Sequence, residues 1–185
     1  MATHIKHTDK ETFYFITFAC YRWLPLFEKT EIYSYLNFWF ERLKKKGYLL
    51  NGYVIMPNHM HLIVYASEEA QDLNNTISES KRFLAYEIVK RLKEKNLKEL
   101  LKVIKSGVQE NERSKGKKHQ VFRLSFDAKP VATEEVERVL DYVHQNPVSG
   151  KWNLVDDYTN YPYSSAEFYE LGGQSLYPIH DFRYI

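Results

Sequence analysis

The sequence predicts an α+β fold, an antiparallel or mixed β-sheet covered by helices on one face and open on the other. Segments with strand-like and helix-like patterning alternate as β-α-β-β-α-(β)-α, and the two central strand-like runs are separated only by Pro57-Asn58, the spacing of a β-hairpin. The chain has 185 residues, 44% of them hydrophobic, enough for one core that buries about 70% of the unfolded surface and too few for a second independent one. One domain over residues 1–185 is therefore expected, and no internal repeat is visible.

Taken in order, Thr12 to Cys20 (TFYFITFAC) is β-branched and aromatic and reads as a buried strand, closed by a loop at Pro25. From Thr30 to Lys46, Ile32, Leu36, Trp39, Phe40 and Leu43 recur at spacings of three and four, an amphipathic helix that Gly47 terminates. Its basic last turn, Arg42 with Lys44 to Lys46, complements the negative end of the helix dipole and needs no ligand. Tyr48 to Met56 and His59 to Ala66 form the hairpin. Asn74 to Lys95 follows as a helix with Ile77, Leu84, Ile88 and Leu92 inside, and Leu97 to Val108 continues as a separate helical piece. Gln109 to Lys118 has no apolar residue and reads as a mobile loop, and Val121 to Phe126 as a short strand. A last helix starts near Thr133 and ends at about Asn146, where Pro147 stops it; the Tyr-rich tail from Trp152 is expected to wrap the domain.

The single cysteine, Cys20, excludes an internal disulfide and any multi-Cys zinc cluster, and it agrees with a reducing cytoplasm. Met1 to Lys10 is polar, so no signal peptide is expected, and no run approaches the roughly 20 apolar residues that span a bilayer. The net charge of +2 hides a polarised distribution: Lys81 to Lys118 holds 13 Lys/Arg against 5 Asp/Glu, a local +8, and the remainder 13 against 19, a local −6. Such asymmetry points to a polyanionic partner, although a solvated Lys-rich helix has the same composition. Aromatics are 16% of the chain, many of them outside the core periodicities, and flat amphipathic rings suit stacking.

Two groups of residues can carry chemistry. His59 and His61, two apart on a strand, share one sheet face while Met60, Leu62 and Val64 share the other, which belongs to the core. Two imidazoles about 7 Å apart along a strand can incline toward one divalent ion and leave other coordination positions open, although a bare His-x-His also suits an ordinary half-exposed strand. Tyr142 and Asn146 lie four apart and share a face at the C-terminal end of the last helix. On spacing alone that is also an ordinary helix end beside Pro147. Cys20, His144 and His119 read as a buried small residue, a packing or hydrogen-bonding residue and a loop residue.

In combination these pieces resemble a known family. Tyr53 to Val64 (YVIMPNHMHLIV), Tyr142 to Val148 (YVHQNPV) and Tyr161 to Ser165 (YPYSS) resemble the HUH tyrosine transposases, in particular the REP-associated tyrosine transposase branch, and the similarity runs from about Thr12 to Tyr169. The resemblance implies a ferredoxin-like or RRM-like domain that cleaves and rejoins single-stranded DNA through a covalent 5′-phosphotyrosine. It implies His59 and His61 as metal ligands, Tyr142 as the nucleophile and Asn146 as a further ligand, where related insertion-sequence enzymes usually carry Gln. It also implies a divalent Mg²⁺ or Mn²⁺ ion, single-stranded or hairpin DNA as partner, and a monomer or homodimer. The sequence departs from the family at Phe122-Arg123, where many relatives have Trp-Gln, and in its long basic loop before Val121. A phosphate track is expected along the basic block, with Lys81, Arg82, Lys115, Lys117 and Lys118 as candidates, and Trp152, Tyr161 and Tyr163 as either stacking surfaces or core residues. The alternative is an RRM-like module that stacks bases on its open sheet face without chemistry.

Overall fold

A computed structural model describes residues 9–124 and 126–185, so most of the polar stretch at residues 1–10 lies outside the described residues. Its strands are β1 (Thr12–Ala19), β2 (Tyr48–Ile55), β3 (His59–Ala66) and β4 (Asp127–Val131). They pair antiparallel throughout in the order β2-β3-β1-β4. With α2 (Tyr33–Lys44) between β1 and β2, and α3 (Leu73–Glu94) between β3 and β4, the connectivity is the βαββαβ of a ferredoxin-like sheet.

The first sheet face carries the larger core. Tyr14, Ile16 and Phe18 of β1 and Met60, Leu62 and Val64 of β3 alternate onto it, and α2 and α3 cover it with Leu36, Trp39, Phe40, Leu43, Ile77, Leu84, Ile88 and Leu92. The indole N–H of Trp39 donates to the Ser80 carbonyl at 2.9 Å and ties the two helices together.

Several local expectations are corrected. The sheet face expected to be free carries α6 (Val136–His144), whose Val136, Leu140 and Val143 pack on Phe13, Val54, Met56, Ile63 and Val131. Helical spacing defined that apolar stripe but not the sheet face that receives it. Gly52 permits the approach, because a Cβ there would come within 2.3 Å of Leu140 Cδ2. A short helix, α1 (Leu26–Thr30), precedes α2; Glu31, at φ 48°, closes it, and the expected start at Thr30 moves to Tyr33. After α4 (Lys98–Ser106), the segment expected to be a mobile loop contains α5 (Glu110–Arg113), held by Arg113 Nε donating to the Val108 carbonyl and by the Lys117–Glu112 ion pair. Phe122 makes only an isolated bridge to Cys20, and the fourth strand lies further on, at Asp127–Val131. Pro130 is tolerated there because β4 is an edge strand.

The opposite edge, β2, is covered by the C-terminal segment. Ile55 N–H donates to the Tyr163 carbonyl, Ser165 N–H to Tyr53 and His180 N–H to Leu50, before and after α7 (Ala166–Leu171). No helix among the described residues is long and apolar enough to cross a membrane.

Candidate active site

The site lies at the hairpin end of the sheet, on the face that α6 only partly covers. His59 opens β3 directly after the Pro57-Asn58 turn, opposite Ala19, and His61 sits opposite Thr17. Strand alternation brings both rings to the same side, with centroids 5.0 Å apart. Each is fixed through Nδ1. Asn58 donates its amide to the Trp23 carbonyl at 2.9 Å, which leaves Oδ1 to accept from His59 Nδ1 at 2.7 Å. The Thr17 hydroxyl lies 2.6 Å from His61 Nδ1. Burial pulls the pKa of His59 down to about 4, opposed by Asn146 and aided by Lys151. Burial, and then its neighbour His59, pull His61 down to about 3. Both imidazoles are therefore neutral near pH 7, the form that binds metals.

From the other side, the last turn of α6 brings Tyr142 and Asn146. The Tyr142 ring is 57% exposed and packs edge-on against Phe15 and His61, with centroids 6.0 and 5.7 Å away. Asn146 donates its amide to the Tyr142 and Val143 carbonyls at 2.8 and 3.3 Å, capping the helix, and its side chain also partners both imidazoles. Since the Asn146 amide hydrogens are engaged with the helix, Oδ1 is the atom left for the rings. His59 Nδ1 is occupied, so what His59 turns toward that oxygen is the Nε2 lone pair. The His59 lone pair and the Asn146 oxygen, two acceptors, therefore face each other, an arrangement that a cation would complete. The donor set is two neutral imidazoles, each held in place at its second nitrogen, plus a carboxamide oxygen, and it fits a divalent ion with positions open. No group of three or more His, Cys, Asp or Glu suited to a metal exists among the described residues.

Next to this convergence, Tyr142, Gln145, Asn146, Ser149, Gly150, Lys151 and Trp152 line a cleft of about 350 Å³. Trp152 is half-buried, its ring 6.0 Å from His59, and Lys151 stands over it.

The end of α6 is secured from beneath. His144 is buried; its Nε2 lies 2.9 Å from Ser165 Oγ, and that oxygen also accepts from Tyr53 N–H on β2. Burial lowers the His144 pKa to about 4, and Glu170, 4.0 Å from Nδ1, is too distant to hydrogen-bond. The folded pKa lies below the unfolded value near 6.5, so the unfolded state binds the extra proton. Stability contributed by neutral His144 is present above about pH 6.5 and lost as pH falls toward 4, to an extent of order 3 kcal/mol. Thermal melts are expected to show a smaller drop between pH 7.5 and 4.5 in His144→Gln than in the parent chain; an equal drop would remove His144 from the acid response.

The other expected residues divide. Lys81 is only 9% exposed, with its ammonium 5.5 to 5.6 Å from the ring centres of Phe18, Phe122 and Phe126. Burial lowers its pKa to about 8. It belongs to the core side of α3 rather than to a surface track, a correction that follows from its position four before Ala85 and three before Leu84 on the inner stripe. Arg82 is exposed beside Glu79, Lys115 and Lys118 are exposed, and Lys117 is paired with Glu112 at 2.7 Å. Tyr161 is buried, donating to the Ile55 carbonyl, and Tyr163 stacks on Tyr33 at 3.5 Å, so both tail tyrosines are structural.

Sequence reasoning missed Asn58, Thr17 and Trp23. Asn58 was readable only as a turn residue, and Thr17 needs the β1–β3 register to meet His61. Trp23 follows a strand end and stands 49% exposed, its ring 5.7 Å from His59. Arg22 and Trp23 adopt left-handed backbone, φ 52° and 57°, at a cost of order 1 kcal/mol or more each.

No family model matches the chain, and no curated protein does. Among solved structures, the chain is similar to one described as the structure of a REP-associated tyrosine transposase bound to a REP hairpin. The TM-score is 0.59 and the identity 19%, over 96% of this chain and 89% of that one.

Proposed function

We propose that this protein is a divalent-metal-dependent endonuclease and strand transferase for single-stranded DNA, acting through a 5′-phosphotyrosine on Tyr142. The observation that carries the reading is the convergence, within one chain, of the Tyr142 ring with the His59, His61 and Asn146 donor set. The likeness in fold to a transposase solved with a REP hairpin supports it and directs the substrate toward hairpin DNA with unpaired flanks.

In this reading His59, His61 and Asn146 hold Mg²⁺ or Mn²⁺, which when bound would polarise a non-bridging phosphate oxygen and offset the charge that develops there. Asn58 and Thr17 keep the two imidazoles oriented, and α6 holds the Tyr142 phenol at the rim, where a strand can approach. The phenol oxygen forms a bond to phosphorus as the bond to the 3′-oxygen breaks; the phenol gives up its proton and the departing oxygen gains one. One phosphodiester replaces another, so the step reverses without an external energy source. Since the phenol and the imidazoles meet in one chain, the reading requires no second copy.

The test is a 3′-labelled oligonucleotide, single-stranded or as a hairpin with unpaired flanks, incubated with the protein and Mn²⁺ and resolved on a denaturing gel. A metal-dependent protein–DNA band is the expected result. A strand that binds under native conditions yet is never trapped would indicate a non-catalytic, RRM-like binding module instead.

The exposed lysines make a second expectation. Replacing Lys115 and Lys118 together with Gln is expected to weaken binding and lower the slope of log affinity against log salt by about 1.4, near 0.7 for each phosphate of a single strand that is no longer neutralised. Lys81→Gln is not expected to change that slope. An unaltered slope in the double variant would exclude this loop from the DNA interface.

A further inference from the structure

Beside His59, the chain holds an aromatic ring that belongs to neither core and stands half exposed. We infer that Trp23 and Arg123 form a stacking seat for an unpaired nucleobase next to the phosphate handled at His59 and His61, an inference that rests on the DNA reading above.

Trp23 contributes little to either core, yet the surrounding structure holds it in place. Its left-handed backbone, with that of Arg22, is unusual for non-glycine residues, and both carbonyl and ring are tied to the site. The carbonyl accepts from Asn58, the residue that also orients His59, while the ring meets the edge of His59. Arg123 lies with its guanidinium 5.3 Å from the indole, anchored by its own N–H donating to the Ala19 carbonyl at the end of β1, opposite His59. Two strand ends and the hairpin turn therefore present an exposed indole and a cation at fixed positions beside the imidazoles. Bases of every kind have a π-face to stack on an indole, and a guanidinium beside it matches the phosphate that follows. Position, exposure and charge all suit one nucleotide of a single strand.

The probes are an oligothymidylate and an abasic strand of equal length, with binding read by fluorescence anisotropy. The parent chain is expected to prefer the thymidylate by about tenfold or more, the scale of one stacked base. Trp23→Leu, which keeps apolar bulk but has no π-face, is expected to reduce that preference at least about fivefold while leaving the abasic affinity unchanged; Trp23→Phe is expected to keep most of it. An unchanged preference in Trp23→Leu overturns the seat, as does an equal loss on both strands. If the parent chain binds neither strand and forms no adduct, the DNA reading falls as well. If adducts form while Trp23→Leu keeps the full preference, only the seat fails.

Discussion

Tyr142→Phe is expected to abolish covalent adduct formation, a loss of at least about a thousandfold in cleavage rate, while leaving DNA affinity within about tenfold of the parent chain. The two effects separate because of where the residue sits. The ring is more than half exposed, and its contacts with Phe15 and His61 are made by the ring, which phenylalanine keeps. Asn146 bonds to the Tyr142 backbone carbonyl, so the cap of α6 survives as well. Only the oxygen disappears, and with it the atom that would bond to phosphorus. The check is a denaturing gel for adduct and a native shift for binding, on one preparation. Nicking by Tyr142→Phe at the parent rate would reject the nucleophile, and another phenol near the site would have to be sought.

Trp39→Ala is expected to cost about 3–5 kcal/mol of stability and to lower Tm by about 6–20 °C. Trp39 is fully buried between the two helices on the larger core, in tilted contact with Phe18 and edge-on contact with Phe40. Truncation leaves a cavity that neighbouring side chains on paired secondary structure cannot collapse to fill, and it removes the indole donor from the Ser80 carbonyl. Trp39→Phe, which retains ring packing, is expected to lose less than half as much. Urea and thermal unfolding check both variants; a Tm change under about 3 °C in Trp39→Ala would contradict the core assignment.

Much of the site was legible because its pieces are local. Strand alternation put His59 and His61 on one side and Met60, Leu62 and Val64 on the other, and this is the division between the two cores. Helical spacing put Tyr142 and Asn146 on one face of one turn, where the structure has them bonded. The hairpin around Pro57-Asn58 was readable from turn chemistry alone. What could not be read were the meetings between distant segments. Thr17 reaches His61 only through the β1–β3 register, and Trp23 reaches His59 only because the chain leaves β1 in a left-handed turn. Helical spacing places Lys81 on the inner stripe of α3, but the three rings around its ammonium come from β1 and from the segment before β4, a meeting of distant segments that spacing does not show.

The sequence by itself determined the α+β class, the hairpin and the two residue pairs, because side-chain direction follows a period of two along strands and about 3.6 around helices. Only the tertiary structure decided that α6 lies over Gly52 on the second sheet face and thereby brings the phenol of Tyr142 to the imidazoles. The physical reason is that periodicity tells which side of an element is apolar, while the partner for that side is chosen by close packing between residues far apart in the chain.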